Sequence, residues 1–186
     1  MKRLGGPDGN ERLTAAVAVA LVVLLAVEGA TVLRIGQLLR VHMFVGMLLV
    51  PVVVLKLAST GWRFLRYYAG DLAYVAKGPP HPLLRLLAPL VIAMTTVPFG
   101  TGIALLVLGR HHRGLVQLHQ LSFVGWLIVA GAHVLAYARR VATLVAAEWR
   151  ARVPGIAARY ALIALALAAG VALALETSPL DDRWLV

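Results

Sequence analysis

Residues 119–133 read HQLSFVGWLIVAGAH, an apolar stretch that begins and ends with histidine. It lies inside a run from about residue 115 to 138 with no charged side chain, and about 20 such residues are what a helix needs to cross a bilayer. Four further runs, at about 13–33, 38–60, 84–108 and 156–176, are also long enough and predominantly apolar. Together they use most of the 186 residues and leave no stretch for a separate soluble domain. The expected fold is all-α and integral to the membrane: one domain, a bundle of five transmembrane helices. The chain starts MKRLGGPDGNERL, which has the basic character of a signal peptide. The apolar run behind it exceeds the roughly 7–15 residues of a signal h-region, so it reads as an uncleaved first helix.

Composition agrees. Hydrophobic residues make up 61% of the chain and charged residues 14%, where a soluble domain carries about 25% charge; the mean hydropathy is +0.85. The absence of cysteine excludes disulfides, thiolate-held iron–sulfur clusters and covalent c-type haem.

The formal net charge of +10 could suggest nucleic acid, but in a membrane chain the placement of charge matters more than its sum. Lys2, Arg3, Arg12, Arg63, Arg66, Lys77, Arg85, Arg139, Arg140, Arg150, Arg152 and Arg159 fall on one side of a five-helix zigzag, and Arg34, Arg40, Arg110, Arg113 and Arg183 on the other. The positive-inside rule then places the N-terminus in the cytoplasm and the C-terminus outside a multi-pass cytoplasmic-membrane protein. The expected partners of the basic residues are lipid headgroups, not nucleic acid.

Between the second and third runs, residues 62–82 (WRFLRYYAGDLAYVAKGPPHP) mix Trp, Tyr and Arg and close on prolines, a composition suited to lying along the cytoplasmic face. The third run holds TTVPFGTG at 95–102, whose small residues and hydroxyls would let a backbone or a flat ligand approach closely.

A helix turns about 100° and rises about 1.5 Å per residue, so His119 and His133 share one face at depths roughly 21 Å apart. Ionisable groups at such depth are costly and call for a named partner. His42 sits near the start of the second run as His119 does near the start of the fourth, and the two runs point the same way. Fourteen residues beyond His42 comes Lys56, repeating the spacing. Two levels are expected, His42 with His119 outside and Lys56 with His133 inside. Two imidazoles facing each other across two helices form an axial cage for haem iron. Gly46, a turn below His42, and Ser122, beside His119, would leave room for the porphyrin. At the inner level, Lys56 would be a neutral amine ligand, a cation reaching the surface or the partner of a haem propionate. Trp126, midway between His119 and His133, would pack between two cofactors or simply fill space.

LRVHMFVGMLLVPVVVLKLASTGWRFLRYYAGDLAYVAKGPP (39–80) and LHQLSFVGWLIVAGAHVLAYARR (118–140) carry a resemblance to a known family. They resemble the membrane-bound cytochrome b subunits of respiratory oxidoreductases, such as the haem b anchors of formate dehydrogenases and nickel–iron hydrogenases. They are more closely similar to the transmembrane part of actinobacterial relatives that are sometimes joined to a molybdopterin oxidoreductase domain. The resemblance implies one or two noncovalent haem b groups and electron passage between a membrane quinone and a redox partner, here expected on a separate chain. It matches His42, His119 and His133 to ligand positions, while Lys56 departs from the four-histidine pattern.

Other polar residues have two readings each. Glu28 would accept a quinol proton beside the outer haem, or would pair with Arg34 or reach the interface. Arg63, Arg66, Tyr67 and Tyr68 would hold propionates or a quinone head, or form an interfacial belt. His111 and His112 lie in an outer loop and His81 between prolines. The functional class that competes with a cytochrome is a cofactor-free scaffold or a proton-conducting subunit using Lys56, Glu28 and the histidines.

Overall fold

The computed structural model describes residues 5–78, 82–151 and 153–185. Lys2, Arg3, His81 and Arg152 therefore lie outside the described residues. The elements are α1 (Gly6–Val32), α2 (Ile35–Tyr68), α3 (Leu72–Ala76), α4 (Pro82–Leu108), α5 (Arg113–Ala151), α6 (Ile156–Thr177), a 3-10 turn (Ser178–Asp181) and α7 (Asp182–Leu185). No strand occurs among the described residues. Five of the helices are long and apolar enough to cross a membrane, so the chain is a multi-pass membrane protein of all-α class.

Local chemistry sets the helix ends. Gly109 takes φ 80° and closes α4, and Gly155 at φ 83° opens α6; these left-handed values favour glycine. Nothing between the apolar part of α2 and Gly70 (φ 76°) breaks a helix, so residues 62–68 continue α2 to Tyr68 instead of starting a separate interfacial segment. Asp71 then caps the short α3, its carboxylate accepting from the Ala73 amide at 3.0 Å. α5 likewise runs on to Ala151; its 39 residues span about 58 Å, well beyond the hydrocarbon core.

α1, α2 and α6 form one packed group, and α4 and α5 form a second. The core of the first group joins Leu13, Val17 and Leu21 of α1, Leu49 and Val52 of α2, and Ile163 and Ala166 of α6. Gly170 brings α6 directly onto the α2 backbone, because a Cβ there would collide with the Leu48 carbonyl. Outward-facing Leu121, Ile128, Leu135 and Leu165 are two-thirds or more exposed, an apolar surface suited to lipid.

The two groups meet unevenly. At one end α1 is wedged between them: Lys56 Nζ on α2 donates to the Thr14 carbonyl at 2.8 Å, Asn10 Nδ2 donates to the Ser59 carbonyl at 3.0 Å, and Arg140 on α5 donates to Glu11 at 2.5 and 3.0 Å. Beneath this wedge Arg159 and Glu148, both 0% exposed, form an ion pair that ties α6 to the end of α5. At the opposite end α1 leans toward α2, and α2 and α5 barely touch. A cavity occupies the space between them.

Candidate functional site

The cavity measures about 310 Å³, within the usual range of about 300–1,000 Å³ for cofactor pockets. Its walls are apolar, with Leu25, Met43, Met47, Phe99, Leu106 and Phe123 among them, and its polar groups are few: Glu28, His42, His119 and Gln120. Trp184, from the segment after α6, closes one end, its indole N–H donating to the Leu105 carbonyl at 3.0 Å. Arg183 Nη1 bonds the Val107 carbonyl at 2.5 Å, and Arg40 pairs with Asp182 at 3.3 Å, so the C-terminal turn is fastened to both α4 and α2.

His42 and His119 face each other, ring centroids 6.3 Å apart and planes 76° to one another. Each ring is held by its Nδ1. On α2, His42 Nδ1 lies 2.9 Å from Thr31 Oγ1 and 3.0 Å from Glu28 Oε1, both on α1. The Thr31 hydroxyl already donates to the Glu28 carbonyl at 2.6 Å, which leaves its lone pair to accept and places the imidazole proton on Nδ1. On α5, His119 Nδ1 lies 2.9 Å from Thr101 Oγ1, whose own proton goes to the Val97 carbonyl at 2.8 Å. With each Nδ1 engaged by side chains of a neighbouring helix, Nε2 is the ring nitrogen left to ligate on each of these two cavity-lining histidines.

The ring separation can be compared with that of two imidazoles sharing one metal ion. Two nitrogens about 2 Å from one metal lie about 4 Å apart, and adding about 1.1 Å from each nitrogen to its ring centre gives roughly 6.3 Å. Among the described residues no third His, Asp or Glu joins them as a ligand cluster; two imidazoles would suit an iron whose remaining ligands come from a porphyrin. Hydrogen bonds that fix the tautomer and ring plane are the usual outer shell of a metal-binding histidine. Space over His119 depends on Gly102, where a Cβ would come within 3.1 Å of the ring's Cε1. Gly46 lines the cavity opposite Glu28, 3.4 Å separating its missing Cβ from Oε1.

The remaining sequence candidates are placed differently. Ser122 donates to the His119 carbonyl at 2.9 Å and turns back on its own helix. Lys56, expected at the level of His133, turns its ammonium to Thr14 on α1. His133 packs on Tyr137 with centroids 4.8 Å apart, and its Nδ1 has no hydrogen-bond partner among the described residues. Trp126 lines the cavity floor and donates to Thr95 Oγ1 at 3.1 Å. Arg66 pairs with Asp71 and stacks over Trp62, while Arg63 is half-buried on the same turn of α2. Glu28 meets His42, not Arg34. Thr31, Thr101, Gly102 and Trp184 complete the site without having been singled out individually in the sequence, although Thr101 and Gly102 belong to the TTVPFGTG motif.

No family model, curated protein or solved structure matches this chain.

Proposed function

We propose that the chain is a cytochrome b-type electron-transfer protein in which His42 and His119 would hold one haem b between α2 and α5. The observation that carries this reading is the pair of facing imidazoles, each anchored through Nδ1, on two helices that otherwise scarcely touch. Haem b bound there supplies one-electron redox chemistry. The chain's own residues supply the rest. Thr31 and Glu28 orient His42, Thr101 orients His119, and the apolar walls with Trp184 as a cover exclude water.

The inner level is less suited to a second haem, because α1 fills the space and Lys56 is spent on Thr14. The resemblance of residues 39–80 and 118–140 to cytochrome b anchors supports electron exchange between a membrane quinone and a separate redox partner. The concentration of basic residues at the Lys56 end supports an orientation with that end in the cytoplasm.

The test is the visible spectrum of detergent-purified protein from haem-replete cells, oxidised and dithionite-reduced, with haem per chain counted as the pyridine complex. One b-type haem per chain is expected. A colourless protein would overturn the reading and favour a scaffold or proton-conducting subunit.

A further inference from the structure

The two halves of the site are not equivalent. His119 is anchored by a neutral hydroxyl, whereas His42 is anchored by a hydroxyl and by the Glu28 side chain. Glu28 Oε2 is buried with no hydrogen-bond partner among the described residues, so the carboxyl group has no protein contact to explain its depth except the one it makes with His42. Gly46 lies beside it, where a Cβ would stand 3.4 Å from Oε1. A carboxyl group in lipid is costly, and here it is spent on the orientation of a single imidazole.

We infer that Glu28 is a positioning residue that locks the His42 plane across that of His119 and makes His42 the stronger electron donor of the two. This rests on the proposed haem site. Imidazoles whose planes are crossed donate into two different iron d-orbitals and keep them close in energy, which in the oxidised state gives a highly anisotropic low-spin signal. Parallel planes donate into the same orbital, split the pair and give an ordinary rhombic signal. The 76° between the rings belongs to the first case. A second acceptor on Nδ1–H also raises the basicity of Nε2, which favours oxidised iron and lowers the potential.

The experiment is electron paramagnetic resonance and potentiometric titration of the haem-loaded full chain, as wild type, Glu28→Leu and Glu28→Gln. The wild type is expected to show the highly anisotropic signal. Glu28→Leu removes the carboxyl contact and leaves only the Thr31 hydroxyl on Nδ1, and its low-field feature is expected to move toward the rhombic position while the midpoint potential shifts upward. Glu28→Gln keeps an acceptor carbonyl at the same reach and is expected to retain the wild-type signal, which separates orientation from a loss of folding. A rhombic wild-type signal overturns the inference, as does a haem-bearing Glu28→Leu protein with unchanged signal and potential. A wild type without haem overturns the proposed function as well, so the two failures are distinguishable.

Discussion

Gly102 on α4 lies so close to His119 on α5 that a Cβ at that position would stand 3.1 Å from the imidazole Cε1. The contact is with the ring itself, which is already held by Thr101 one residue earlier. A side chain at 102 has to displace the ring into the cavity or push α4 from α5. Gly102→Leu is therefore expected to lower haem occupancy sharply while leaving the protein folded, measured as haem per chain against helical content by circular dichroism.

Thr101 sets the tautomer of the same histidine. Thr101→Val keeps the shape but removes the acceptor for Nδ1–H, and outer-shell losses of this kind typically weaken a metal site by about 10–100-fold. A haem titration of the apoprotein measures it. Thr96→Val, one helical turn away with its hydroxyl bonded only to its own helix, serves as the control and is expected to leave affinity unchanged.

The register of His42 and His119 was legible in the sequence because helical periodicity and the direction of successive spans place both near the same depth on neighbouring strands of the zigzag. Their anchors were less so. Thr31 and Glu28 reach His42 from α1, and Thr101 reaches His119 from α4, so each contact depends on how helices rotate against one another, which spacing along one helix does not encode. Lys56 was legible as a costly buried cation, but its partner is a backbone carbonyl, and carbonyls carry no sequence signature. Glu28 has Arg34 near it in sequence, yet the turn at Leu33–Arg34 leaves Arg34 exposed and brings His42 back alongside.

The Glu148–Arg159 pair at the other end makes a prediction about stability. Both side chains are fully buried, and Arg159 Nε donates to Glu148 Oε1 at 2.6 Å. Removing one partner strands the other charge, so Glu148→Ala is expected to cost about 3–5 kcal/mol, whereas replacing both by apolar residues of similar volume is expected to be close to neutral. Denaturation of the detergent-solubilised single and double variants measures the difference.

Gly170 and Leu48 define the closest approach of α6 to α2. Gly170→Val drives a branched side chain into the Leu48 carbonyl, an overpacking expected to cost about 1–3 kcal/mol. The cavity lies on the far side of α2, so the haem spectrum of whatever fraction remains folded is expected to be unchanged.

The most direct test of the haem site is the haem content of four single variants expressed side by side: His42→Ala, His119→Ala, His133→Ala and Lys56→Met. The account predicts that the first two lose the b-type spectrum and the last two keep one haem per chain, since His133 and Lys56 lie outside the cavity. Full haem content in His42→Ala or His119→Ala, or its loss in both His133→Ala and Lys56→Met, would contradict the assignment.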